Sequence, residues 1–174
     1  MAYKSITVSG LSATGTTTTA KALCEKLGLE YHSAGEFFRK YMLEHNIPLH
    51  AHLQIPDELD REIDEKLTSL AQKGGVVVEG RYIGYFTKDM DYVLRVLLTA
   101  DEKTRLQRAM RRTHTHTETV EEIQKREEEN DRKFRKIYAN ENFLDPKFFN
   151  LVINTASTAP DNVISEIVEQ FSQQ

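Results

Sequence analysis

Short β-branched runs alternate along the chain with longer stretches in which apolar side chains recur every three or four residues. KSITVSG (4–10), VVVEG (76–80), YVLRVLLTA (92–100) and NLVINT (150–155) are continuous enough to be buried strands, and LEYHS (29–33) is a weaker one. The intervening pattern predicts helices. One runs from Gly15 to Leu27 and is closed by Gly28. Ser33-Ala34-Gly35-Glu36 is a capping-box pattern that opens another, to about His45. Asn46 to Ile55 reads as a loop. Pro56 suits the first turn of the next helix, which Gly74-Gly75 ends. Thr99 or Asp101 can cap a helix carrying Arg105 to Arg112. Thr119-Val120-Glu121-Glu122 is a second capping box, opening a charged helix toward Tyr138, and Pro160 starts a terminal helix. THTHTET (113–119) reads as a loop between the two charged helices. Strands separated by helices require crossover connections, so the expected class is α/β, with right-handed βαβ units and a mainly parallel sheet covered on both faces.

Composition narrows the picture. A chain of 174 residues suits one compact domain and needs no disulfide or metal staple. The single cysteine, Cys24, has no internal partner, which fits a reducing compartment. MAYKSITVSG carries no signal-peptide run, and no stretch approaches the ~20 apolar residues of a membrane span. The expectation is a cytoplasmic protein with no membrane partner. The net charge of −4 argues against a nucleic-acid polymer as ligand. The arginines are nonetheless uneven: Arg105, Arg108, Arg111, Arg112, Arg126, Arg132 and Arg135 share one third of the chain. That distribution suits a small anionic ligand.

Candidate chemistry begins at VSGLSATGTTTTA (8–20). A Gly, four residues, a second Gly and then hydroxyls follow a strand and precede a helix, the context a phosphate loop requires. Gly10 and Gly15 let the backbone fold tightly and bring N–H groups to phosphate oxygens, and the helix N-terminus adds partial positive charge. Thr17 falls where a hydroxyl meets a magnesium ion. Thr16 occupies the place of the usual lysine, which normally contributes a fixed cation to catalysis. The competing interpretation is an ordinary strand-to-helix turn.

SGLSATGTTTTAKALCEKLGLEYHSAGEFFR (9–39) resembles the start of the archaeal-type cytidylate kinases, small nucleoside monophosphate kinases of the P-loop class. DREIDEKL (60–67), VVVEGRYIGY (76–85), REEENDRKFRKIY (126–138) and LVINT (151–155) follow in the family's order. Many members of that family carry threonine where Thr16 stands. The resemblance implies a P-loop NTPase fold with a five-stranded parallel sheet, a monophosphate-binding insertion near residues 33–72 and a lid near 112–126, all within a single domain of residues 1–174. It also implies transfer of the γ-phosphate of ATP to CMP or dCMP, with magnesium, by a monomer.

On that resemblance Gly10, Leu11, Ser12, Ala13, Thr14, Gly15, Thr16, Thr17 and Thr18 would cradle ATP. Ser33 and Arg39 would hold the monophosphate; a plain helix cap and a solvated helix residue are their bland alternatives. Gly80 and Arg81 follow a strand end, where a guanidinium can grip phosphate with a fork of donors and Glu79 can join Thr17 in positioning magnesium. A surface Glu79–Arg81 contact is the alternative. Arg108, Arg112 and Arg126 are the expected catalytic arginines. Arg105 and Arg111 read as solvated helix residues. Asp60 and Asp64 are candidates for the nucleoside pocket, with a solvated helix face weighed equally. Arg126, Asn130 and Lys133 share a helix stripe, on which the family tends to place Arg, an acid and Arg. Asn130 in the acid's place leaves base selectivity open. The histidine pairs His50/His52 and His114/His116 lack cysteine partners and make a poor zinc site. Two alternatives to a cytidylate kinase remain at this point: a kinase for another monophosphate such as UMP, and a non-catalytic P-loop module that senses nucleotides.

Overall fold

A computed structural model of the chain describes residues 2–111 and 118–173. Five parallel strands form one sheet: β1 (Ser5–Ser9), β2 (Glu30–Ser33), β3 (Val76–Glu79), β4 (Val93–Thr99) and β5 (Leu151–Asn154), in the order β2-β3-β1-β4-β5. The helices are α1 (Thr16–Leu27), α2 (Ala34–Glu44), α3 (Asp57–Lys73), α4 (Ile83–Phe86), α5 (Glu102–Met110), α6 (Val120–Ile137) and α7 (Pro160–Ser172). The expected α/β class with a parallel sheet is what the chain adopts. Among the described residues no helix is long and apolar enough to cross a membrane.

Alternation along the central strands sorts the core into two layers. Val77 joins Ile6, Val8, Leu94 and Val96 against Ala20 and Leu23 of α1 and Val163 and Ile167 of α7. Val76 and Val78 face the other way, onto Phe38 and Met42 of α2 and Ile63 and Leu67 of α3. Both layers are closed to water, so β3 carries apolar residues on both sides and reads as a continuous run.

Most predicted boundaries hold within a residue or two. Asp101, not Thr99, caps α5, accepting from the Thr104 N–H at 2.8 Å. Thr119 makes both bonds of its capping box. Ser33 makes only one, from the Glu36 N–H, because Glu36 instead faces Lys21. Pro56 is the N-cap of α3, one position before the first turn. A 3-10 turn at His52–Gln54 falls within the expected 46–55 loop, and two further elements escape the pattern: the one-turn helix α4 and a 3-10 turn at Pro146–Phe148. Both are fixed by tertiary contacts. Buried Arg95 of β4 donates to the carbonyls of Thr87, Met90 and Val93 and, through Nε, to that of Phe148. Burial pushes its pKa down, and carbonyl dipoles take the place of a counterion.

Aromatic rings of Tyr82, Tyr85 and Phe86 around α4 pack edge-on and tilted against Phe134, Tyr138, Phe143 and Phe148. This cluster docks the charged helix α6 onto the loop after β3. The parallel register pairs Val8 with Glu79 and Ser33 with Glu79. The segments leaving β1, β2 and β3 therefore emerge side by side at one edge of the sheet, where ligands of open α/β sheets bind.

Candidate active site

The loop after β1 is an anion nest. A Cβ on Gly10 would lie 2.4 Å from Thr14 Oγ1 and 2.6 Å from the Leu98 carbonyl, so no larger residue fits there. Gly15 takes φ +96°, and Ala13 holds a positive φ of 63°. Among the described residues no protein acceptor meets the N–H groups of Ala13, Gly15, Thr16, Thr17 or Thr18. The first turn of α1 contains no acid and makes no side-chain cap. Five open donors at a helix N-terminus form a ready phosphate site. The loop is braced from behind. Ser12 N–H donates to Glu127 at 3.1 Å, Arg105 donates to the Ser12 carbonyl and pairs with Glu127 at 2.7 Å, and Thr155 Oγ1 donates to the Thr14 carbonyl.

Glu79, at the end of β3, gathers hydroxyls from both sides. Its Oε1 accepts from Thr16 and Thr17, each at 2.8 Å, and its Oε2 accepts from Tyr31 at 2.7 Å and Ser33 at 3.0 Å. One carboxylate thus joins the phosphate loop to the start of α2. The Tyr31 hydroxyl is pushed far above its ordinary pKa, first by burial and then by the Glu79 charge, and stays a donor.

Two clefts open at this edge and share a wall. One, of about 540 Å³, is lined by Gly10, Leu11, Ser12, Ala13, Thr16 and Thr17 together with Glu79 and Gly80. The other, of about 720 Å³, is lined largely by apolar groups, among them Phe38, Met42, Leu49, Leu67 and Ile83. Arg39, Arg81 and Arg126 line both. Arg81 Nη2 donates to Ser12 Oγ at 2.7 Å, while its Nη1 is buried without a partner. Burial and the nearby Arg126 pull its pKa down to about 10, which still leaves it charged at neutral pH. Arg126 gives Nη2 to Glu118 at 2.7 Å and keeps a buried, unpartnered Nε. Arg39 pairs with no group among the described residues; its Nη1 lies 3.1 Å from where a Cβ on Gly35 would stand. Cations held side by side with spare donors call for an anion between them.

The far end of the apolar cleft carries Asp64, His52 and Asn130. Burial raises the Asp64 carboxyl to about 7, against the hydrogen bond it accepts from Tyr138 Oη at 2.7 Å. His52 Nε2 is engaged with Asp60 at 3.0 Å. Asn130 gives Nδ2 to the Arg126 carbonyl and accepts from Tyr82 Oη. Asp64 therefore has the freest polar edge at this end.

A phosphate nest, an adjoining apolar cleft and cations where they meet suit a phosphotransferase, and comparison with known proteins says which. Residues 5–157 match the family model described as "Cytidylate kinase-like family". The chain belongs to that family. It is 33% identical to a cytidylate kinase of Pyrococcus horikoshii over 164 residues, 92% of this chain and 84% of that protein. It is 35% identical to one from Archaeoglobus fulgidus, covering 94% of this chain and 92% of that protein. Among solved structures it superposes on a gluconokinase from Sinorhizobium meliloti with a TM-score of 0.62 and 18% identity, covering 99% and 94% of the two chains. Shikimate kinase from Acinetobacter baumannii gives a TM-score of 0.62 at 16% identity, covering 98% and 94%. These likenesses establish the P-loop kinase fold.

Of the residues that the family resemblance singles out, the loop from Gly10 to Thr17, Arg39, Glu79, Gly80, Arg81, Arg126 and Asn130 are brought together. The Thr14 hydroxyl turns inward to the Leu11 carbonyl, and Thr18 is exposed. Ser33 lies beneath the clefts, shared between Glu36 and Glu79. Asp60 and Lys133 do not line the apolar cleft. Lys133 is 1% exposed; its Nζ donates to the Ile55 carbonyl and lies 3.0 Å from Asp60 and 3.2 Å from Asp57. One turn beyond Asn130 the stripe on α6 has passed under the cleft floor, where a buried ammonium needs paired acids. Arg108 lines neither cleft: it holds the Thr155 carbonyl and hydroxyl and reaches the Ala13 carbonyl of the phosphate loop at 3.5 Å. Arg112 and residues 113–117 of the expected 113–119 loop lie outside the described residues. Arg105 is a correction: it is buried beneath the phosphate loop, not solvated. Tyr31 was not singled out, since a tyrosine in a weak strand gives no signal that it will meet a carboxylate on the neighbouring strand.

Proposed function

We propose that the protein transfers the γ-phosphate of ATP to CMP or dCMP, giving ADP and CDP or dCDP. The observation that carries this reading is the set of Arg39, Arg81 and Arg126 on the wall common to a phosphate nest and an apolar cleft. ATP phosphates occupy the nest and the acceptor base occupies the apolar cleft, so both phosphate groups meet at the guanidiniums. An acceptor phosphate oxygen forms a bond to Pγ while the bond from Pγ to the β,γ-bridging oxygen breaks, its electron pair leaving on ADP. The chain supplies orientation and charge neutralisation, the main needs of phosphoryl transfer.

Thr17 and Glu79 fit a magnesium ion: Thr17 lines the nest, and its hydroxyl proton goes to Glu79, leaving oxygen lone pairs for a hard cation. Bound there, the ion supplies neutralisation of the β- and γ-phosphate charge. The reading includes a single domain with a monophosphate-binding insertion near 33–72 and a closing lid near 112–126 that brings Arg112 to the phosphates. It also includes a cytoplasmic monomer, as the composition and the family resemblance lead one to expect.

UMP is the second reading, favoured by Asp64. A carboxyl that titrates near neutrality offers either an O–H or a C=O, and so suits the N3/N4 edge of cytosine or the N3/O4 edge of uracil. A non-catalytic sensor is disfavoured by the built acceptor cleft. The test is a coupled ADP-release assay with Mg-ATP and a panel of nucleoside monophosphates. CMP and dCMP are expected to exceed AMP and GMP by about tenfold or more in kcat/KM, about 1.4 kcal/mol of discrimination. A preference for AMP of that size refutes the acceptor assignment.

A further inference from the structure

At the far end of the apolar cleft, most side chains that could meet a base are already committed. Asn130 spends Nδ2 on the Arg126 carbonyl and accepts from Tyr82 Oη through Oδ1. His52 turns Nε2 to Asp60 at 3.0 Å and sets its ring edge-on to Phe38. Asp64 differs. It lines the cleft from α3 and is 7% exposed. Its Oδ2 accepts from Tyr138 Oη at 2.7 Å, while its Oδ1 has no partner among the described residues and is open to the cleft.

The Tyr138 bond has one direction. Burial, and then the Asp64 charge, push the Tyr138 hydroxyl far above its ordinary pKa, so it remains the donor. A proton taken up by Asp64 therefore sits on Oδ1, the atom at the cleft. Burial raises this carboxyl to about 7, and the Asp60 charge adds to the rise. Oδ1 is thus an O–H donor on the acid side of neutrality and a bare acceptor on the alkaline side. Cytosine and uracil differ at position 4, where one carries an amino donor and the other a carbonyl acceptor. A buried site that hydrogen-bonds such a group discriminates well, because the wrong partner leaves polar groups unpaired.

We propose that Asp64 determines acceptor specificity by meeting the group at position 4 with Oδ1: the charged carboxylate accepts from the amino group of CMP, and the neutral acid donates to the carbonyl of UMP; this rests on the kinase reading above. Acceptor choice then follows pH, with UMP gaining below neutrality and CMP above it. The charged and titratable groups around Asp64 are Asp60 on its own helix, His52 in the 46–55 loop, Arg39 on α2, Arg81 and Tyr82 after β3, and Arg126 and Tyr138 from α6 and its end. All of them remain in Asp64→Asn, so that variant separates their titration from that of Asp64.

The test measures kcat/KM for CMP and for UMP with Mg-ATP from about pH 5.5 to about pH 8.5, and the binding of each nucleotide by calorimetry over the same range, in wild type, Asp64→Asn and Tyr138→Phe. Ionisation of Mg-ATP and of the acceptor phosphate is common to both substrates and cancels in the CMP/UMP ratio. In wild type the ratio should rise by about tenfold or more with pH, with its midpoint near neutrality. In Asp64→Asn the amide oxygen takes the Tyr138 bond and the NH2 faces the cleft as the acid's O–H does, so the ratio should stay flat at the acidic value of wild type. Tyr138→Phe removes a bond that favours the charged form and should move the midpoint to higher pH. A flat or falling ratio in wild type overturns the proposal. So does a rise that survives in Asp64→Asn, which would belong to His52 or another neighbour. If Asp64→Asn does not fold, the wild-type slope and the Tyr138→Phe midpoint decide, and an unmoved midpoint overturns the proposal. If wild type binds both nucleotides and turns over neither, the kinase reading falls and the affinity ratio carries the same comparison. If neither binds at any pH, both fall.

Discussion

Asp64 gives the protein a stability cost that grows with pH. Burial lifts its carboxyl from an ordinary 3.8 to about 7 in the folded state. Between these values the native chain keeps a proton that the unfolded chain has released, so stability falls as pH rises, by up to about 1.4 kcal/mol per unit. Integrated from pH 5 to pH 7, the single site removes about 2 kcal/mol. The groups that face it are Asp60 on α3, whose charge adds to the rise, and Tyr138 at the end of α6, whose hydroxyl opposes it. Asp64→Asn keeps the shape and abolishes the titration. Urea unfolding of wild type and Asp64→Asn at pH 5, 6 and 7 reads the difference directly, because all other titrating groups are common to both. The variant should gain on wild type by about 2 kcal/mol across that range. Parallel pH curves for the two proteins would refute the assignment of a neutral, buried acid at the cleft wall.

Other consequences are open to measurement. Glu79→Gln leaves one oxygen to accept where two served four hydroxyls, so two donors must turn; a loss of about 2–3 kcal/mol, seen as a fall in Tm of roughly 5–10 °C, is expected. Thr16→Val removes one of those four bonds and should cost only about 1 kcal/mol in stability, with kcat/KM for ATP changed less than in Arg126→Ala, as measured by the coupled assay. Lys133→Met strands Asp60 without its cation and should destabilise by about 3 kcal/mol or more in chemical unfolding; a substrate-contacting Lys133 would lose CMP affinity at unchanged stability instead.

The hydrophobic pattern was enough to place the sheet and the longer helices, because strands buried on both faces leave continuous β-branched runs. The phosphate loop was legible for a related reason: its backbone geometry demands Gly10 and Gly15 at fixed spacing after a strand. Arg81 was legible from its place just beyond β3. What was not legible depends on partners far along the chain. Arg105 and Arg108 sit on one helix among similar arginines, and only the fold sends the first under Ser12 and the second to Thr155. Lys133 continues the helical stripe of Arg126 and Asn130, and its turn into a buried acid pair follows from where α3 and the 46–55 loop pack. Asp60 and Asp64 differ by one helical turn, which puts the first behind the cleft and the second on its wall. The one-turn helix α4 has no periodicity to detect and exists because Arg95 and the aromatic cluster hold it.

The central claim is that two nucleotides bind end to end, with their phosphates meeting at Arg39, Arg81 and Arg126. The most direct measurement is inhibition by a bisubstrate analogue joining adenosine and cytidine through five phosphates. Competition against both ATP and CMP, weakened in Arg126→Ala, is the predicted result. An analogue that competes with one substrate but not the other, or that binds the Arg126 variant as tightly as wild type, would contradict the account.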